Sequence, residues 1–295
     1  MDLTEILGCD AEHLVQKVKV VNKDKIEYPC LVQQKYDGVF CIAYNDKINK
    51  KCLIFSRTGK QYTSMQHIEK DMENLFRLYD KDLILFEAYI VNTPQSIISG
   101  YCRDTVGQHK ELIAVCHDCL TIDEWKGIRK TPYHLRYDNL KYMLTEQYYL
   151  SLFLPKGIYA YDWDMITAYA SEIWKAGGEG VVIKKLNALY ERGKRNWSLM
   201  KLKQEVSYDL RIVGVEEGTG QFKDAVGALI CKFKDSNISI GSGLTSEERK
   251  LWWKHKEFII GHIAEIKAMR ISSKGILREP VFKGIRYDKD KADFE

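Results

Sequence analysis

Two hydrophobic periods interleave along the first two hundred residues. The runs YPCLVQQKY, FCIAYN, KCLIFSR, DLILFEAYIV, ELIAVCHDCL and GVVIKKL are short, rich in β-branched and aromatic residues, and alternate apolar with polar positions, which predicts strands. Between them MQHIEKDMENLFRLY, YDNLKYMLTEQYYL and WDMITAYASEIWKAG repeat apolar residues near helical spacing, and the last runs into Gly177 and Gly178 as a helix C-terminus does. Strands mixed with helices predict an α+β segment. After Lys203 the texture changes to YDLRIVGVEEGTG, ALICKFKD, NISIGSG, HIAEIKAMRIS and PVFKGIRYD, five strand-like runs that predict a small barrel. Thr245 and Glu248 in TSEERKLWWKHKEFI have capping-box spacing and start the one intervening helix. The expected domains are therefore residues 1–204 and 205–295.

Composition narrows the class. Of 295 residues 45% are hydrophobic, enough for cores in two domains. The excess of 45 Lys and Arg over 41 Asp and Glu gives +4, which permits a nucleic-acid partner without demanding one. Eight cysteines are scattered singly except for Cys116 and Cys119, and the start MDLTEILGCD lacks the basic and apolar regions of a leader, so reduced thiols in a cytoplasm are expected. The CHDC spacing suits zinc, but no second pair at matching spacing supplies the other two ligands. No apolar run reaches the roughly 18 residues of a membrane span.

Candidate chemistry gathers in seven places. Lys35 ends a strand-like run in QQKYDGVF, followed by Asp37 and by Gly38, which allows close backbone approach. Alone, such a lysine is ordinarily solvated. In order then come SRTGK with Arg57 and Lys60, LFEAY with Glu87, VCHDCL with His117 and Asp118, GGEGVVIK with Glu179 and Lys184, SLMKLKQ with Lys201 and Lys203, and RYDK from Arg286 to Lys289. A lysine is a nucleophile only as the neutral amine, a state that burial and neighbouring cations favour. Glutamates on strands, such as Glu87 and Glu179, are costly to bury unless they bind something. Plainer readings stand beside these: SRTGK as a polar hairpin turn, His117 as a packed core histidine, and RYDKDKADFE as a frayed tail.

Taken together and in this order, the motifs resemble the covalent nucleotidyltransferase superfamily, and most of all the small two-domain ATP-dependent DNA ligases of viral and bacterial type, from about residue 31 to 290. The resemblance implies an ATP-grasp-like nucleotidyltransferase domain followed by an OB-fold barrel. It implies ATP as AMP donor, Mg²⁺ with Mn²⁺ as an alternative, and nicked duplex DNA as the partner of a monomeric enzyme with no membrane attachment. By the same resemblance Lys35 carries AMP; Asp37, Lys201, Lys203, Arg286 and Lys289 assist catalysis; and Gln33, Gly38, Glu87, His117 and Lys184 help to bind the nucleotide. Glu87 would grip the ribose and, with Glu179, the metal, while Arg57 and Lys60 would hold the nick 5′-phosphate. Departures from the family pattern are Phe40 where an arginine is usual, Leu85 and Phe86 before Glu87, His117 in place of an aromatic ring over adenine, and Gln33 in place of a glutamate. An RNA ligase and an mRNA-capping guanylyltransferase share the lysine chemistry, and a non-catalytic OB-type nucleic-acid-binding protein is the rival from another class. NAD⁺ is disfavoured as donor, because the ligases that use it have a longer architecture.

Overall fold

The computed structural model describes residues 1–271 and 275–295, in two compact units, Met1–Lys203 and Gln204–Glu295. Within the first unit, one sheet orders its strands Lys17–Val20, Arg195–Lys203, Gly180–Lys185, Cys30–Lys35 and Gly157–Ala160, with only the first pair parallel. A second sheet runs Gln61–Tyr62, Lys51–Ser56, Val39–Asp46, Leu83–Tyr89, Ile113–Leu120 and Leu152–Phe153.

Alternation along these strands decides what each face meets. In the five-stranded sheet Cys30, Val32, Val181, Ile183 and Met200 point one way and bury against Ile166, Ala170 and Ile173 of the helix Trp163–Lys175. Their neighbours Gln33, Lys35, Val182, Lys184, Lys201 and Lys203 therefore share the opposite face, which carries the chemistry. The six-stranded sheet packs Cys41, Ala43, Ile84, Phe86 and Cys116 against the helices Gln66–Leu78, Gln95–Arg103 and Tyr133–Thr145. Helix Gln66–Leu78 inserts Ile68, Met72, Leu75 and Phe76, a single helical stripe whose members each gain about 1.5–3 kcal/mol on burial. Cys116 and Cys119 belong to this core, their thiols donating to the carbonyls of Ala114 at 3.7 Å and Arg136 at 3.2 Å.

One helix differs from expectation. The stretch YDNLKYMLTEQYYL forms the end of a helix that starts at Tyr133 and stops at Thr145. Pro132 sets the earlier start, since the first turn needs no N–H from it. Beyond the helix Tyr149 is buried while Tyr148 and Leu150 are exposed, and Asp71 fixes the chain by accepting from the Ser151 N–H and hydroxyl at 3.0 and 2.7 Å.

The second unit is built on the strands Val206–Glu217, Val226–Phe233, Ser236–Ile240, Ile263–Ala268 and Val281–Ile285, ordered third, second, first, fourth, fifth. A parallel bridge from Ser242 to Val281, isolated among the described residues, draws the two sheet edges together, the arrangement of a five-stranded Greek-key barrel. Its helix, Ser246–Lys254, has the capping box expected of Thr245 and Glu248. The last residue of the run HIAEIKAMRIS, Ser272, lies outside the described residues. The charged tail is docked rather than frayed: Asp293 exchanges two hydrogen bonds with the backbone of Asp209, and Phe294 packs 5.4 Å from Tyr208 and 5.0 Å from Phe233.

Candidate active site

The register of three adjacent strands brings the charged residues together. Gly180 pairs with Lys35 on one side and Lys203 on the other, so both lysines flank the residue that follows Glu179. The buried Glu179 carboxylate bridges them, with Oε2 2.7 Å from Lys35 Nζ and Oε1 2.8 Å from Lys203 Nζ. Gly180 makes this possible. Its φ is +145°, and a Cβ there would stand 2.2 Å from the Leu202 carbonyl oxygen. Lys201 shares the face one pair further along, opposite Val182.

Behind this bridge opens a cavity of about 250 Å³ between the two sheets, lined by Gln33, Lys35, Phe40, Arg57, Glu87, His117 and Lys184 among others. Its floor is polar. Lys184, buried, donates to the His117 carbonyl at 3.0 Å and to the Tyr133 hydroxyl at 2.8 Å. Burial pushes the Lys184 ammonium down to about 7, with Asp118 resisting the shift. Gln33 is 2% exposed, and its Nε2 meets no hydrogen-bond partner among the described residues. An unmatched buried donor at a cavity wall is costly unless a ligand answers it.

Glu87 faces the same space from the other sheet. Burial pushes its carboxyl up to about 7, opposed by Lys35 and reinforced by Glu179, while the Gly38 N–H donates to it. Gly38 is needed for contact with the protein's own strand, since a Cβ there would lie 2.2 Å from the Ala88 carbonyl oxygen. The half-buried Asp37 adds a further negative charge near Glu87.

His117 owes its position to a β-bulge. Leu85 pairs with Asp118 and Phe86 with Cys116, leaving His117 unmatched in the ladder. Burial and the cations Lys184 and Lys35 hold its imidazole well below the ordinary range, so the ring is neutral. Phe40 lies 5.4 Å from it, so two departures from the family pattern meet in one wall.

Arg57 is exposed at the cavity rim, whereas Lys60 is tied to Asp2 at 3.0 Å. Arg286 and Lys289 lie in the second unit and both pair with Asp209. Sequence reasoning missed Tyr133, Tyr190 and the buried Arg136, whose Nε and Nη2 each stand 2.9 Å from an Asp118 oxygen. A single arginine in a tyrosine-rich helix gives no sign that it is buried.

A family model described as the ATP dependent DNA ligase domain matches residues 12–203, and one described as a DNA ligase OB-like domain matches residues 217–286. A probable DNA ligase of Dictyoglomus turgidum is 26% identical over 257 residues, covering 78% of this chain and 42% of that protein. The DNA ligase of Haemophilus influenzae is 37% identical over 82 residues, or 28% of this chain and 30% of that protein. The chain thus spans less than half the length of these curated relatives. Among solved structures, Pmar-Lig_PreS3 superposes with a TM-score of 0.76 at 26% identity over 87% of this chain and 63% of that one. A structure from work on Lig E DNA ligases gives 0.74 at 15% identity over 92% and 98%, a likeness of fold.

Proposed function

Because the chain belongs to the ATP-dependent DNA ligase family, we propose that it seals nicks in duplex DNA, using ATP and carrying AMP on Lys35. Its fold is that of the family, a nucleotidyltransferase domain followed by an OB-fold domain. The observation that carries the reading is the Lys35–Glu179–Lys203 bridge at the edge of a cavity that holds an unanswered amide donor.

Lys35 leaves Glu179, gives a proton to solvent water, and attacks the α-phosphorus of ATP; the bond from that phosphorus to the bridging oxygen breaks and pyrophosphate departs. Lys201 and Lys203 face the charge that gathers on the phosphate oxygens. The Gln33 amide, a donor through Nε2 and an acceptor through its oxygen, meets the adenine edge, and the neutral His117 ring stacks on the base. Glu87 holds the ribose hydroxyl. Mg²⁺ takes one or two carboxylates and completes its shell with phosphate and water, which fits a site where Glu87 and Glu179 face one another's charge. Glu179 and Glu87 would hold it, and it would neutralise phosphate charge.

AMP then passes from Lys35 to the 5′-phosphate of the nick, held by the Arg57 fork and by Lys60 once it leaves Asp2. The 3′-hydroxyl attacks that phosphate, a phosphodiester forms and AMP leaves. Positioning and charge stabilisation dominate each step. Arg286 and Lys289 serve the first transfer, meeting the departing pyrophosphate. We place this work in the cytoplasm, by a monomer; among the described residues no helix is long and apolar enough to cross a membrane.

The test is to incubate the protein and Mg²⁺ with α-labelled ATP, GTP or labelled NAD⁺, and then with nicked DNA. We expect an acid-stable label from ATP alone, absent in a folded Lys35→Ala variant, and sealed DNA. A labelled Lys35→Ala variant overturns the assignment, and a label from GTP alone would make the protein a guanylyltransferase.

A further inference from the structure

Asp209 stands in the strand Val206–Glu217 with only 6% of its surface exposed. A buried carboxylate is expensive unless well paired, and this one is paired twice. Arg286 Nη1 lies 3.2 and 3.1 Å from its two oxygens, and Lys289 Nζ donates to Oδ2. Asp288 grips the other edge of the same guanidinium, at 2.9 Å from Nε and 2.7 Å from Nη2. Two carboxylates thus fix the plane of Arg286. Lys289, with its flexible stem, gains its fixed position from Asp209.

The exposures run in a revealing order. The Asp209 side chain is 9% exposed, Arg286 30% and Lys289 39%. The anion sits behind and the two cations present their outer faces to solvent. Holding the tail in place is a separate task, done by the backbone of Asp209 with Asp293.

We propose that Asp209 is a positioning residue for the first transfer, its carboxylate presetting Arg286 and Lys289 side by side to receive pyrophosphate. This rests on the ligase reading above. Cations already ordered need no reorganisation when the leaving group gathers charge, which is where preorganised electrostatics acts. Nick sealing releases no pyrophosphate, so Asp209 has no part in it.

The experiment uses the full chain and the near-isosteric Asp209→Asn. Transfer of label from α-labelled ATP is timed separately from sealing of a nick that already carries 5′-AMP. We expect adenylylation to slow by at least roughly tenfold, as when one preorganised electrostatic partner is lost. Sealing should stay within about twofold of wild type, with the melting temperature little changed. Asp293→Ala, which loosens the tail and spares the carboxylate, should leave both rates near wild type. Should Asp209→Asn not fold, Asp209→Glu, which keeps the charge one methylene out of place, should show the same split in smaller measure. Adenylylation at the wild-type rate, or equal loss in both assays, overturns the proposal while the ligase reading stands. Wild-type protein that takes no label overturns both.

Discussion

Asp118→Ala is the sharpest perturbation of the cavity floor. In the folded protein Asp118 and Arg136 are 6% and 2% exposed and meet through two hydrogen bonds of 2.9 Å. Removing one partner of a buried pair leaves the other charge uncompensated, at about 3–5 kcal/mol. Arg136 keeps some support, since its Nη1 donates to the Thr131 carbonyl at 2.6 Å and lies 3.4 Å from that of Ala188, so the lower figure applies. In a unit of 203 residues, about 3 kcal/mol corresponds to a melting shift of roughly 6–12 °C. The loss should also reach the nucleotide, because Arg136 lies 5.5 Å from the Tyr133 ring and 5.8 Å from that of Tyr190, both in the cavity wall. Guanidinium unfolding reads the first effect and the ATP dependence of label uptake the second. A double change of Asp118→Leu with Arg136→Met should recover most of the stability, since an apolar replacement of a buried pair is often neutral. Asp118→Ala costing under about 1 kcal/mol, or a double variant no better than the single, would refute the reasoning.

Two other outcomes follow from the same site. Lys184 has a folded pKa lowered to about 7, so above pH 7 the unfolded chain binds more protons and stability rises with pH; the gain between pH 7 and 8 is about 1 kcal/mol. Glu87, raised to about 7, opposes it with a smaller loss over the same interval, so the measure is the difference in slope between wild type and Lys184→Met, with equal slopes counting against the buried ammonium. Gly180→Ala should destabilise the five-stranded sheet by more than about 1 kcal/mol and slow label transfer, because φ of +145° and the Leu202 oxygen both oppose a Cβ; wild-type label transfer would show that the lysine spacing tolerates it.

What the sequence disclosed depended on distance along the chain and on period. Lys35, Glu179 and Lys203 could be grouped because their motifs stand in the family's order, and the register of their adjoining strands explains why they meet. His117 was assigned to the nucleotide through the family resemblance alone, because one extra residue in the ladder reverses the alternation after Leu85, and nothing in VCHDCL announces the bulge. The Asp118–Arg136 pair joins a strand to a helix eighteen positions on, and polar residues in a tyrosine-rich helix look like its wet side. Phe40 and His117 read as two separate irregularities until their rings were seen in contact. The helix Gln95–Arg103 went unread, since QSIISGYCR has only one full turn of apolar spacing to show.

The seam of the second unit has a consequence for how that unit breathes. Among the described residues four junctions between the barrel strands are ladders, while the edges meet at the Ser242–Val281 bridge, with the Phe282 N–H donating to the Ser242 carbonyl at 2.9 Å. Opening that junction gives up one pairing and leaves the remaining ladders whole, so it belongs to the low rungs of the local unfolding scale. Deuterium should therefore reach the Phe282 amide well before those of Leu229 or Ile266, and the barrel will behave in solution as a curled ribbon with a latch.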